Sequence, residues 1–295
     1  MNIVQIFEEF QDEEACLRRL EKTRWPDGAI CPYCKAKNNH YIPSELRHFC
    51  YNCRTSFSVT VGTIFHHTHL PLQKWFLAVS LILNAKKGIS ALQLSRDLKV
   101  NKNTAWRIAM QIREAMNQVE HRELLTGIVE MDECYIGGKP RKGKKYDNDN
   151  DKPKRGRGTT KAPVIGVVER KEGGKVSAKA VGKDKLKGKN LRAFVREKVD
   201  TAQSKLMTDE YTAYFGMSRL LPHAVIKHAF SYVDGIIHTN TIESFWALLK
   251  RGMFGQFHSV SRKHLQKYVD EFCYRYNNRA NDNVFGLTIN RALGV

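Results

Sequence analysis

The chain has 295 residues, 42% hydrophobic and 27% charged, which excludes wholesale disorder; at about 150 residues per domain it has room for two domains and a small third module. Forty-nine basic residues against 30 acidic ones give a formal charge of +19, which points to a polyanionic partner, nucleic acid first and an anionic membrane surface second, with a solubility device as the plain alternative. The longest apolar-rich stretch, Trp75 to Leu83, is under half of the roughly 18–20 residues a membrane span needs, and residues 1–11 carry acids without a basic n-region, so a cytoplasmic protein without a signal peptide is expected.

Residues 1–24 read as a helical segment. Ile3, Ile6, Phe7 and Phe10, then Cys16, Leu17 and Leu20, recur at helical spacing, and Trp25-Pro26-Asp27-Gly28 ends the run with a turn. Residues 25–65 are polar and turn-rich and hold two C-x2-C pairs, Cys31/Cys34 and Cys50/Cys53, separated by fifteen residues. Each pair offers two thiolates to one point, and the two together complete the tetrahedral shell that Zn²⁺ prefers, with no open position for chemistry. So short a segment cannot fold on apolar burial alone, and metal binding would supply the missing free energy. An iron–sulfur or redox site is the alternative. Tyr33, Lys35, Lys37, Arg47, His48 and Arg54 surround the cysteines as a DNA-contacting set or an ordinary polar surface. His66, His67 and His69 follow, as polar connector residues rather than a second metal site.

Residues 70–122 return to helical periodicity. Leu72, Trp75, Phe76, Val79 and Leu83 form one stripe. Ser90–Leu98 and Asn103–Met116, joined by a short turn, fit a helix-turn-helix whose second helix starts at Asn103-Thr104 with a cap. Lys102, Asn103, Thr104, Arg107, Gln111 and Arg113 suit contacts to phosphates and base edges in a major groove; the alternative is a helical bundle joining two domains.

From residue 123 to 295 the texture is α/β. Strands are expected at 127–132, 163–169, 175–181, 205–209 and 224–228, and helices at 191–199, 241–250 and 264–277. Residues 139–161, with ten Lys/Arg against three Asp, cannot bury a core and read as a basic arm or a solvated insertion. Three acids stand out by context: Asp132 at the end of the first strand, Asp209 after the fourth, and Glu243 on a helix. Lys250 lies two turns beyond Glu243 on the same side. Carboxylates delivered from strand ends and one helix can converge on a pair of Mg²⁺ ions, whose hard-ligand preference they match. Such a pair stabilises the attacking and leaving oxygens of an in-line phosphoryl displacement.

The order of these features resembles a DDE-type insertion-sequence transposase, of the bacterial zinc-ribbon group related to Merlin elements (the ISXO2-like DDE domain). The carrying motifs are Cys31/Cys34/Cys50/Cys53, Glu130-Met-Asp132-Glu-Cys-Tyr-Ile-Gly-Gly138, Thr208-Asp209-Glu-Tyr211, and His238-Thr-Asn-Thr-Ile-Glu243-Ser-Phe-Trp246 with Lys250-Arg251-Gly252; 33 residues separate Asp209 from Glu243. The resemblance implies an RNase H-like mixed-sheet catalytic domain preceded by the zinc ribbon and the helix-turn-helix. It implies two Mg²⁺ (or Mn²⁺) ions on Asp132, Asp209 and Glu243, with Lys250 near the cleaved phosphate. The implied partner is double-stranded DNA, both element ends and target, bound by a homodimer or higher assembly in the nucleoid, with no membrane. Two rivals stand beside this reading: a DNA-binding transcriptional regulator whose RNase H-like domain is inactive, and a resolvase-like nuclease that cuts without joining.

Overall fold

The structure is a computed structural model that describes residues 1–117, 123–137, 159–226 and 237–295. The basic insertion expected at 139–161 and the end of the strand expected at 224–228 therefore lie largely outside the described residues. The chain forms two compact units, residues 1–120 together with 281–295, and residues 121–280.

In the first unit the N-terminal segment is two helices rather than one: α1 (Ile3–Glu9) and α2 (Glu13–Arg24). The break has a local cause, because Asp12 caps α2, its carboxylate accepting from the Ala15 N–H at 2.7 Å. Three short antiparallel strands follow, β1 (Asn39–Ile42), β2 (Arg47–Cys50) and β3 (Thr55–Phe57), in the order β1-β2-β3. The sheet is fastened to α2 by His48, whose Nε2 lies 2.8 Å from Glu21 Oε1, and by Trp25, whose indole packs edge-on against His48 and Phe57. His48 is thus a buried structural residue and not part of an exposed DNA-contacting set.

The helices α3 (Leu72–Asn84), α4 (Ala91–Leu98) and α5 (Lys102–Asn117) come next. Ser90 caps α4, and Lys99 ends it in the left-handed conformation. Asn101, not Asn103-Thr104, caps α5: its Oδ1 accepts from the Thr104 N–H at 2.8 Å. An N-cap bonds the N–H three positions ahead, and that spacing fixes the start at Lys102. The last helix, α9 (Val284–Leu293), belongs to this unit and not to the α/β unit that was expected to run to residue 295. Its apolar face meets the helical core, with Phe285 edge-on to Phe76. Buried Arg291 donates to the Met116 carbonyl at 2.8 Å and so satisfies an acceptor near the end of α5.

The second unit is a five-stranded mixed sheet. It comprises β4 (Leu125–Ile136), β5 (Ala162–Glu169), β6 (Val176–Ala180), β7 (Val199–Thr208) and β8 (His223–Val225), in the order β6-β5-β4-β7-β8. The pairs β4–β5 and β5–β6 are antiparallel; β4–β7 and β7–β8 are parallel. A parallel return needs a crossover, supplied by α6 (Gly188–Lys198), whose Leu191, Phe194 and Val195 pack on Val129, Met131, Val167 and Leu206. α7 (Asn240–Gly252) crosses β4 and β5 on their opposite face, as its bonds to Glu130 and Asp132 record. α8 (Leu265–Asn277) closes the exposed edge at β6: Gln266 Oε1 accepts from Ala180 N–H and Asn277 Oδ1 from Val176 N–H, each at 2.7 Å. Those side chains replace the missing neighbour strand, one way to blunt an open sheet edge. Among the described residues no helix is long and apolar enough to cross a membrane.

Candidate catalytic, metal and DNA-binding sites

The four cysteines converge. Cys31 Sγ lies 3.6 Å from Cys53 Sγ, Cys34 Sγ lies 3.5 Å from Cys50 Sγ, and all four sulfurs fall within 4.8 Å of one another. A Zn–S bond of 2.3 Å gives a tetrahedral edge of about 3.8 Å, so the spacing fits one zinc ion. Cys31 and Cys50 are buried while Cys34 is exposed; four thiolates would fill the tetrahedral shell and leave no open position, so the metal would be structural. Among the described residues this is the group of His, Cys, Asp and Glu donors gathered tightly enough to share one ion; His66, His67 and His69 are not so gathered, and neither are the carboxylates of Asp132, Asp209 and Glu243 in this structure. They border a cleft of about 430 Å³ whose other wall carries Thr104, Arg107 and Gln111 of α5.

On α5, Lys102, Asn103 and Arg107 are exposed and Thr104 is half-buried, whereas Arg113 is buried in the helical core and, contrary to expectation, does not face a DNA groove. Gln111 is half-buried too, and its amide donates to the Ile64 carbonyl at 3.2 Å, so its donor serves the unit's own packing. Trp106, 41% exposed, lies beside Arg107 on the outer face.

In the second unit Asp132 lies within a twelve-residue strand rather than at its end. The strand is longer than expected because β5 continues to pair with it, Asp132 against Gly166 and Ile136 against Ala162. On the other side the β4–β7 register sets Glu130 against Met207, its last pair; Asp132 lies two residues further along β4 and Asp209 just past the end of β7, near enough for its charge to act on Asp132. Strand alternation puts both on the face that α7 covers. Glu133 points the other way, where its carboxylate accepts from the buried Tyr214 hydroxyl at 2.7 Å. Asp209 is held in a turn, its Oδ1 accepting from the Tyr211 N–H at 3.0 Å. Glu243, on the first turn of α7, is exposed, and its Oε1 accepts from the Thr239 hydroxyl at 2.8 Å.

These acids feel one another. The Asp132 carboxyl is pushed up to about 7, first by burial and next by the charge of Glu133, with Asp209 and Glu243 adding to it. A buried carboxyl raised by neighbouring acids is a surplus of negative charge that divalent cations would relieve, and the hard oxygen donors suit Mg²⁺ or Mn²⁺. Lys250 is half-buried further along α7. Burial raises the Cys134 thiol and the Lys250 ammonium works against that rise, which puts the cation close to the strand residue two beyond Asp132.

Three residues of this site were given no role in it from the sequence, although Glu130 and Trp246 stand in the motifs quoted above. The Trp246 indole N–H donates to Asp132 Oδ2 at 3.1 Å; a buried Trp needs such an acceptor, and that was the available signal. Gly166 lies under the same indole. Glu130, fully buried, accepts from Arg170 Nε at 2.7 Å and from the N–H groups of Thr241 and Ile242 at 2.8 and 2.9 Å.

The four-cysteine ribbon lies in one unit and the mixed sheet with its acids in the other, and both units match transposase families. Residues 124–277 match the ISXO2-like transposase domain and residues 11–56 match the transposase zinc-ribbon domain. The chain belongs to the ISXO2-like transposase family. It is 28% identical over 279 residues to an uncharacterised protein in transposable element ISH50 of Halobacterium salinarum, covering 90% of this chain and 91% of that one. No solved structure matches it.

Proposed function

We propose that this transposase binds the terminal inverted repeats of its element and carries out 3′-end cleavage and strand transfer with divalent metal. The reading is supported by Asp132 on β4 and Asp209 just past the end of neighbouring β7, whose charge acts on Asp132, with Glu243 on the helix that covers this face and adding to the same effect. The strand order, three antiparallel strands and then two parallel additions, supports an RNase H-like domain. Two Mg²⁺ (or Mn²⁺) ions on Asp132, Asp209 and Glu243 would neutralise the charge that develops on the attacking and leaving oxygens.

The chain's own residues then have defined work. Trp246 orients Asp132, Thr239 orients Glu243, and the turn at Tyr211 orients Asp209. Lys250 presents an ammonium to the scissile phosphate. Water attacks the phosphodiester at the element's end and releases a 3′-hydroxyl. That hydroxyl attacks a target phosphodiester, forming one P–O bond as another breaks, without a covalent protein intermediate; positioning and charge neutralisation supply the catalysis. Lys102, Asn103, Thr104 and Arg107 on α5, with the acceptor side of Gln111, would read the element ends. A homodimer or larger assembly in the nucleoid follows from the need to pair two ends.

The test is a strand-transfer assay on duplexes carrying the inverted repeats that flank the gene, with Mg²⁺ or Mn²⁺. Joined product from the wild type, lost in Asp132→Ala, Asp209→Ala and Glu243→Ala, is expected. Activity that survives in the first two variants removes the proposal. DNA binding without metal-dependent cleavage supports the regulator, and cleavage without joining supports the resolvase-like nuclease.

A further inference from the structure

We propose that Glu130 is a positioning residue that fixes the separation of the first and third carboxylates, resting on the three-acid reading above. Glu130 and Asp132 lie two apart on β4 and therefore point to the same face. The Glu130 carboxylate is fully buried and accepts from the Thr241 N–H and hydroxyl, both at 2.8 Å, and from the Ile242 N–H at 2.9 Å. These are the orphan N–H groups of the first turn of α7. The helix has no side-chain cap of its own, because the Thr239 hydroxyl is turned to Glu243. Glu130 therefore caps α7 from a strand, 111 residues earlier in the chain.

Two ties result. Glu130 holds α7 at Thr241 and Ile242; Asp132 holds it at Trp246 through the 3.1 Å indole bond. Glu243 lies between the two anchor points on the helix. Its distance from Asp132 is set by a strand, a helix turn and hydrogen bonds, with no loop in the path. Arg170 completes the arrangement: its Nε donates to Glu130 Oε1 at 2.7 Å and its guanidinium donates to the His238 carbonyl at 2.7 Å, fastening the approach to the helix as well.

A buried ion pair contributes little net stability, because desolvation offsets its attraction. An ordinary Ser or Asp cap would satisfy the same N–H groups locally. What a cap on β4 adds is registry between the strand that carries Asp132 and the helix that carries Glu243.

The experiment uses the full-length chain, with Mn²⁺ binding followed by electron paramagnetic resonance and steady-state cleavage of the end duplex. Glu130→Gln keeps the shape but removes the charge and one pair of acceptor sites; Thr241→Val removes one hydroxyl donor at constant volume. Orienting partners of metal ligands typically change affinity or activity by about 10–100-fold. Glu130→Gln is expected to weaken Mn²⁺ binding by about tenfold or more and lower kcat while KM for DNA stays within about twofold, and Thr241→Val is expected to move both readouts the same way by less. Wild-type Mn²⁺ binding and kcat in both variants, with only a lower melting temperature, would overturn the proposal; if Glu130→Gln fails to fold, Thr241→Val decides alone. Asp132→Ala separates the two levels of the argument. If it binds Mn²⁺ as the wild type does, the three-acid reading fails and this proposal with it; if it loses Mn²⁺ while both test variants keep it, only the positioning role fails.

Discussion

Gly166 lies directly beneath the indole of Trp246. A Cβ at Gly166 would stand 2.6 Å from Cη2 and 2.8 Å from Cζ2 of that ring, closer than carbon atoms pack. The bare backbone lets the ring settle against β5, and from there its N–H reaches Asp132, which pairs with Gly166 across the β4–β5 ladder.

Gly166→Ala should therefore act on both stability and chemistry. Overpacking of this kind costs about 1–3 kcal/mol, measurable by urea denaturation. Strand transfer should fall with it, because Asp132 loses its donor as the ring moves. Adding Trp246→Phe makes room again, so the double variant should recover stability and not turnover. Full turnover in Gly166→Ala would show that the indole does not orient Asp132.

The cysteine site predicts one zinc per chain. Chelation of the metal, or Cys31→Ser, should release it and melt the strands β1 to β3, which are short and carry the cysteine pairs between and beside them. Elemental analysis and circular dichroism check both points. Iron in place of zinc, or an unchanged melting profile after complete metal removal, would contradict the assignment.

Glu169 gives acid sensitivity. It is 4% exposed. Burial would raise its carboxyl, but the Thr126 N–H, the Lys171 ammonium and the Lys175 N–H together hold it below the ordinary value. A group depressed in the folded state stabilises above its unfolded value, about 4.3, and that stabilisation is lost as pH falls through the folded value. Glu169→Gln should therefore melt lower than the wild type at pH 7, with the gap closing below about pH 4. A gap that stays constant down to pH 3 would remove the electrostatic account.

Lys102 and Arg107 bear on DNA binding. If each neutralises one phosphate, Lys102→Ala and Arg107→Ala should each reduce the slope of log affinity against log salt by about one. Fluorescence anisotropy with an end duplex at several salt concentrations measures it. Slopes equal to the wild type in both variants would place the DNA on another face.

What was legible in the sequence was local. The zinc site followed from two cysteine pairs whose geometry is set within a few residues, and α4 and α5 followed from apolar periodicity. The strand expected at 127–132 was found but cut short, since Glu133 to Ile136 are ordered by pairing with Val164, Ile165 and the start of β5, which no nearby residue announces. Asp132, Asp209 and Glu243 stood out through motif context, and their role is part of the proposed function. Glu130 was given no role, because its partners lie 40 and more than 100 residues away. Asn101 was missed as the α5 cap because Asn103 and Thr104 are equally good cap residues by type; the observed bond decides among them.

The return of α9 to the first unit has a consequence for biosynthesis. Phe285, Ile289 and Arg291 follow the whole second unit in the chain, yet they complete a hydrophobic core begun with Ile6, Leu20 and Phe76. The unit of residues 121–280, encoded in between, can finish folding first, while the unit that begins with α1 waits for α9. A nascent chain stopped at residue 280 would carry an intact five-stranded sheet and an unfinished helical core.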